Sequence, residues 1–408
     1  MKYNQSNILV FNCGSSSLKY KIIRMPEEEE IIVGEAERVG IKTGESSFID
    51  HCVKGQKRKI VITLNDHCDA FREIIRIIKD DFSKDKSLYF DVCAHRYVHP
   101  GNSFKDTTKI DDSAVKRLKL TLSFAPIHNP IAYNLIVLCR DYFPDIEQFV
   151  IFDTAFHKTI PDEYSRYALP RKLAQDHKFK RIGFHGISHK YVSQAAALFL
   201  GKDILNLKML SCHLGTGGSS VCAIKEGKSI NTSMGFTPLE GLVMNTRCGD
   251  IDAAMMFSLV DKYNISAEDA ETMLNKLSGV LGVYDLSSDL RDVIKNIDLG
   301  QKATLALDIY VNRIKKYLGY YSLILKKADV LIFTDSIGLN VPLIREKICQ
   351  GLEFFGISID KGLNYCDFSQ ITSISNKDSE TKILVVPTNE ELMIAREAFG
   401  RLKNVACC

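Results

Sequence analysis

The chain has 408 residues, 45% of them hydrophobic and 25% charged, the balance of a folded globular protein rather than a disordered or fibrous one. That length exceeds what one simple core usually holds and predicts two domains. With 53 basic and 50 acidic side chains the net charge is only +3, which gives no electrostatic footprint for a nucleic-acid partner.

In chain order, the apolar run 8–12, the turn-forming Cys13-Gly-Ser-Ser-Ser17 and the alternating stretch 18–25 predict strand, tight turn and strand. Strand-like pieces follow at 31–39 and 59–64, with the acidic run Glu27 to Glu30 read as a solvated hairpin turn. Asp66 or Asp69 can cap a helix that sets Phe71, Ile74, Ile75 and Ile78 on one face. A buried strand is expected at 88–94, a helix at 129–142 and a strand at 148–153. The opening theme then recurs, with strand 208–213, the glycine turn Leu214-Gly-Thr-Gly-Gly-Ser219, strand 220–225 and a short strand 228–232. Helical patterns cover 252–263, 267–277 and 301–326, and strands are expected at 330–334 and 382–387 before a terminal helix.

No run approaches the ~18 apolar residues of a membrane span, and the polar start Met1-Lys-Tyr-Asn carries no signal-peptide pattern. The twelve cysteines include no C-x-x-C pair and no zinc spacing. A reduced, cytoplasmic setting is therefore expected, with Cys407-Cys408 a frayed tail. His95 with His99 and His185 with His189 have the i, i+4 spacing of a zinc pair but lack its glutamate, which argues against zinc.

Two copies of strand, glycine or serine hairpin and strand predict a duplicated α/β architecture with both hairpin turns facing one cleft. Chemistry-bearing residues gather mostly where apolar runs end, where ligands bind in α/β folds. They include Asn12 with Ser15 and Ser17, His95-Arg-Tyr-Val-His-Pro-Gly101, Ala125-Pro-Ile-His-Asn-Pro130 and Phe152-Asp-Thr-Ala-Phe-His157. Gly183-Phe-His-Gly-Ile-Ser-His189 and the stretch from His213-Leu-Gly-Thr-Gly-Gly218 to Asn245-Thr-Arg-Cys-Gly-Asp-Ile-Asp252 complete the set.

In these motifs the sequence resembles the acetate kinases, within the superfamily of sugar kinases, actin and heat-shock chaperones. Asn231-Thr-Ser-Met-Gly-Phe-Thr-Pro-Leu-Glu-Gly241, Leu281-Gly-Val-Tyr-Asp-Leu-Ser-Ser-Asp-Leu-Arg291 and Pro387-Thr-Asn-Glu-Glu391 extend the match. The resemblance implies a two-domain actin-like (ribonuclease H-like) α/β fold, one domain formed by 1–152 plus 387–408 and the other by 153–386. It implies reversible transfer of a phosphoryl group between acetyl phosphate or acetate and a phosphate partner, and a homodimer. Propionate or butyrate kinase and a non-catalytic actin-like binding protein are the competing functions.

A carboxylate nucleophile is already ionised at neutral pH, so this reaction needs two anions brought together and held in line rather than a strong base. Arg96 and Arg247 suit that task, because guanidinium binds carboxylate or phosphate bidentately. His128 and His185 can donate to the transferring group. The resemblance implies that Asn12, Asp153 and Glu390 serve Mg²⁺, with Asp153 also among the catalytic residues, while Glu391 reads as a capping-box partner of Thr388. It places the acid's alkyl group against Val98, Ile127, Phe184 and Pro238. Ser15, Ser17, His213, Gly215, Thr216, Gly217, Asp289, Arg291, Asp335 and Gly338 are expected at the phosphate or nucleotide.

The pattern departs from the acetate kinases that use ATP at two places. Those usually have His-Leu-Gly-Asn-Gly where this chain has Thr216, and a Gly-Gly-Ile-Gly-Glu-like turn where it has Asp335-Ser-Ile-Gly-Leu339. Both departures resemble the smaller branch that uses pyrophosphate and orthophosphate instead of ATP and ADP, and that branch is the expectation; the alternative is an ATP- and ADP-dependent acetate kinase in which Asp335 hydrogen-bonds a ribose hydroxyl.

Overall fold

The computed structural model describes residues 4–42, 44–101 and 103–405; the Cys407-Cys408 tail lies outside them. The chain divides into two compact units, Met1–Ala155 with Asn389–Cys408, and Phe156–Thr388.

In the first unit the opening hairpin forms as its turn chemistry dictates, β1 (Ser6–Cys13) antiparallel to β2 (Ser17–Met25). The meander continues through β3 (Glu29–Glu37), β4 (Phe48–Val53) and β5 (Gln56–Val61). On the other side of β1, β6 (Val92–Tyr97) pairs in parallel, β7 (Thr108–Lys109) forms an edge, and β8 (Glu147–Phe152) pairs in parallel with β6. The sheet order is β5-β4-β3-β2-β1-β6-β8-β7, which leaves every residue of β1 buried. Parallel neighbours need crossover connections. These are α1 (His67–Lys84), and then α2 (Asp112–Lys119) with α3 (Asn129–Tyr142). Asp66 caps α1 by accepting the Asp69 amide at 2.8 Å, and Phe71, Ile74, Ile75 and Ile78 are buried as their spacing predicts. The terminal helix Glu390–Val405 buries Leu392, Met393, Ile394, Ala398 and Phe399 and packs on β1.

The second unit repeats this plan. Strand β9 (Lys208–Leu214) pairs antiparallel with β10 (Ser219–Lys225), and β10 with β11 (Lys228–Thr232). β12 (Val330–Thr334) lies parallel to β9, and the short β13 (Thr372–Ser373) flanks β14 (Lys382–Val385), itself parallel to β12. The order β11-β10-β9-β12-β14 reproduces β3-β2-β1-β6-β8 of the first sheet. Side chains alternate between two cores. Leu210, Cys212, Leu331 and Phe333 meet the long helix Gln301–Leu325, whereas Met209, Cys222, Val330 and Ile332 meet the helix Gly186–Phe199. Burial between two layers is worth about 1.5–3 kcal/mol for each large apolar side chain.

Four expectations need correction. The strand expected at 59–64 runs at Gln56–Val61, and β4 before it was not anticipated, because Asp50, His51, Lys57, Arg58 and Lys59 break the apolar pattern. The strand expected at 88–94 begins at Val92 and continues through His95 and Arg96, polar residues that carry it into the site. In the stretch 252–263 the helix is Ala254–Phe257 followed by a wide turn of helix, Ser258–Lys262, with Met255, Phe257 and Tyr263 exposed. The acidic run is only partly a turn: Glu29 and Glu30 belong to β3, and Glu28 pairs with Arg396.

No described helix is long and apolar enough to cross a membrane. The ten described cysteines are free thiols.

Candidate active site

The predicted site residues fall into two groups, one in each unit. In the first unit β1 ends at Asn12, whose side-chain amide donates to Glu390 (3.0 Å) and Glu391 (2.8 Å). Asn389, not Thr388, caps the terminal helix, accepting the Leu392 amide at 3.1 Å. That leaves Glu391 free of a capping box; it binds Asn12 and lies 3.9 Å from Lys21 instead. From β6, Arg96 donates to Asp153 (3.0 Å) and to the Cys13 carbonyl (3.3 Å). Burial alone would favour the neutral guanidine, but Asp153 and Glu390 outweigh it and hold Arg96 firmly charged. Its Nε is buried and has no hydrogen-bond partner among the described residues, a donor left for an anion.

His67 and Asn129, to which the sequence assigns no role, brace this group. His67 reaches from α1 to the Gly14 carbonyl at 3.0 Å, and burial lowers its pKa, so it pins the hairpin as a neutral ring. Asn129, fully buried, binds the backbone of His99 in both directions (3.2 and 2.8 Å) and the Thr121 carbonyl at 2.7 Å. It thereby fixes the bend that carries Val98, which is buried. His128 sits at the N-terminus of α3. Ile127 is 55% exposed. Ser15 is exposed at the hairpin tip and Ser17 half-buried.

In the second unit Gly218 is the meeting point. A Cβ built there would lie 3.2 Å from His185 Nε2 and 3.6 Å from an Arg247 amino nitrogen. The absent side chain leaves room for a ligand atom between an imidazole and a guanidinium. Arg247 makes only long contacts, to the Pro238 carbonyl (3.4 Å) and Met244 sulfur (3.7 Å), and has no carboxylate partner among the described residues. Burial lowers its pKa for that reason. An underpaired buried cation is expensive unless an anion arrives.

His185 occupies a left-handed conformation, φ 59°, strain of a kind that clusters at functional sites. Three neighbours hold it. His157 Nε2 bonds the Phe184 carbonyl (2.9 Å) and its Nδ1 meets Ser229 (2.8 Å), while Gly183 leaves space for the His157 ring. Ser220 contacts both His185 Nδ1 and His189 Nε2 at 2.9 Å. His157 and His189 stood in the motifs without an assigned role, since nothing in sequence separates a bracing histidine from a reacting one.

The residues that depart from the ATP-type pattern come together in this unit. Asp335 lies 3.0 Å from His213 Nε2, and the Thr216 amide donates to Ser336 Oγ at 3.2 Å. A Cβ on Gly215 would lie 2.1 Å from the Asp335 carboxylate, so the carboxylate fills the space over that glycine. Asp335 begins the helix Asp335–Asn340 at φ 64°. Arg345, fully buried, holds the end of this helix through the Gly338 and Leu339 carbonyls (2.8 and 2.7 Å). Gly217 has open space around its Cβ position. Asp289 and Arg291 pair with each other, exposed at the start of the short helix Leu290–Lys295. Phe184 is buried and Pro238 half-buried.

Comparison with known proteins identifies the family. A model of the Acetokinase family matches residues 7–396. An acetate kinase from Dictyoglomus thermophilum is 44% identical over 393 residues, covering 96% of this chain and 98% of its own. The crystal structure of Porphyromonas gingivalis acetate kinase superposes with a TM-score of 0.87 at 38% identity, covering 97% of this chain and all of that one. A propionate kinase structure from Francisella tularensis gives 0.86 at 37%, covering 96% and 98%. The duplicated sheets are therefore those of the actin-like fold. The chain belongs to the acetokinase family, enzymes that transfer a phosphoryl group to a carboxylate.

Proposed function

We propose that the chain interconverts acetate and acetyl phosphate, with orthophosphate and pyrophosphate rather than ADP and ATP as the phosphoryl partner. The reaction joins two anions, and what supports it is Arg247, half-buried with no carboxylate partner among the described residues and sharing the space over Gly218 with His185. Arg247 offsets the repulsion between carboxylate and phosphoryl oxygens, and His185 donates to oxygens that gain charge in the transition state. No proton need be removed from the nucleophile.

Asp153, Glu390 and the Asn12 carbonyl are hard oxygen donors around one guanidinium, a set that suits Mg²⁺, which takes one or two carboxylates and completes its shell with water and phosphate. Among the described residues no group of three or more His, Cys, Asp or Glu is arranged as an all-protein cage. When bound, Mg²⁺ would neutralise charge on the phosphate chain; Asn12, Asp153 and Glu390 would hold it and Arg96 would orient Asp153.

The choice of phosphoryl partner rests on Asp335 and Ser336. Position 335 keeps a backbone conformation that suits the glycine usual in ATP-using acetate kinases, yet its carboxylate covers Gly215 and Ser336 covers Thr216. A base or ribose loses its room there, and a polyphosphate meets an added negative charge. A preference for propionate is the second reading, favoured by the similarity to a propionate kinase; rates across acid chain lengths separate the two. We place the enzyme in the cytoplasm as a homodimer, the state implied by the family resemblance.

Phosphorus NMR of acetyl phosphate turnover tests the partner. Pyrophosphate should accumulate with orthophosphate and Mg²⁺, and efficient ATP formation from ADP with no pyrophosphate formed would defeat the reading.

A further inference from the structure

We propose that Asp335 is a positioning residue acting through His213: it commits that imidazole to a carboxylate and leaves His185 as the histidine that serves the phosphoryl group. The contacts carry this. Asp335 Oδ2 lies 3.0 Å from His213 Nε2, so that nitrogen donates its proton to the carboxylate. The other ring nitrogen, Nδ1, is 2.9 Å from Ser188 Oγ, which meets Thr388 at 3.1 Å. The Asp335 carboxylate is itself fixed by the Ser336 amide at 2.7 Å. His213 is thus held at both nitrogens.

The held ring stacks on His185, with centroids 4.1 Å apart. Two stacked imidazoles resist carrying charge together, and a carboxylate beside one of them decides which takes the proton. Asp335 favours the imidazolium at His213, which keeps His185 neutral. Ser220 Oγ meets both His185 Nδ1 and His189 Nε2 at 2.9 Å, which ties down the inner side of the His185 ring and leaves its Nε2 as the atom that borders Gly218. The other groups facing this pair are His189, with its ring 6.1 Å from His213, Tyr310, whose interactions include Asp335, and Arg247 beyond Gly218. None of these three is anionic at neutral pH, and the Asp335 carboxylate favours charge on His213.

The role rests on the phosphotransfer reading, but its test does not depend on which phosphoryl partner is used. Asp335→Asn keeps the shape and removes the charge. By NMR of the full chain with labelled imidazoles and no substrate, His213 should titrate at lower pH in the variant than in the native protein. In turnover with the acceptor the native enzyme prefers, kcat should fall by about 10²-fold, the lower end of the scale of a lost electrostatic contact, with KM for acetyl phosphate little changed. Asp335→Glu should restore part of the rate, and in a His213→Asn background Asp335→Asn should add nothing. An unshifted His213 titration, or effects of the two substitutions that simply multiply, would overturn the proposal. A native enzyme that works only with ADP would defeat the pyrophosphate reading and leave this test intact.

Discussion

Asn12 donates a 3.0 Å hydrogen bond to Glu390, a residue 378 positions away, so the last helix completes the site that the first strand begins. Chain reversal through a whole second unit brings two donors of one proposed Mg²⁺ site together. Glu390→Gln keeps the size and the Asn12 contact but removes a charge. The Mg²⁺ concentration for half-maximal rate should rise at least about tenfold, the scale of losing a metal-orienting group. Isothermal titration of Mg²⁺ in the presence of pyrophosphate checks it; an unchanged requirement would remove Glu390 from the metal.

Gly218→Ala tests the meeting of His185 and Arg247 with a single methyl group. The new Cβ would stand 3.2 Å from His185 Nε2 and 3.6 Å from Arg247. Activity should fall by about 10²-fold or more, because small displacements at a reacting centre carry that cost, while the melting temperature stays within a few degrees. Gly34→Ala is the contrasting control. Its Cβ would lie 2.3 Å from the Tyr20 ring, and overpacking there should cost about 1–3 kcal/mol of stability with kcat unchanged.

His99 makes stability depend on pH. Burial lowers its pKa from the usual 6.5 to about 4, and its Nδ1 accepts the Gly101 amide at 3.0 Å. The unfolded chain binds the proton more readily, so this contribution is complete above pH 6.5 and is lost as pH falls toward 4. The loss amounts to about 3 kcal/mol at most. Denaturant melts between pH 7 and 4 should show the decline, and His99→Asn should flatten it; an equal slope in both proteins would contradict the assignment. His51 and His67, also lowered by burial, leave a residual slope in the variant.

Much of this architecture is legible in the sequence, and the reason is local. β1, β2, β9 and β10 are apolar runs closed by glycine or serine turns, and the repeat of that pattern announced a duplicated fold. β6 was misjudged because its site-bearing end, His95 and Arg96, is polar, and β4 because Asp50 and His51 interrupt the apolar pattern. His51 is buried against Asp81 at 2.8 Å, a partner that only packing supplies. The motif residues Arg96, His185 and Arg247 could be named from the sequence. Asn129, His67, His157 and His189 could not be given roles, since bracing a backbone carbonyl or a serine leaves no spacing rule. Asp335 could be recognised as unusual, but its pairing with His213 comes from the parallel register of β9 and β12.

Arg247→Ala measures most directly the role proposed for the half-buried Arg247 guanidinium, which has no carboxylate partner among the described residues, in transfer between two anions. With circular dichroism and melting behaviour retained, kcat for acetyl phosphate turnover should fall by about 10²–10³-fold, and added guanidinium should recover part of it. A variant that folds normally and turns over at nearly the native rate would contradict the account.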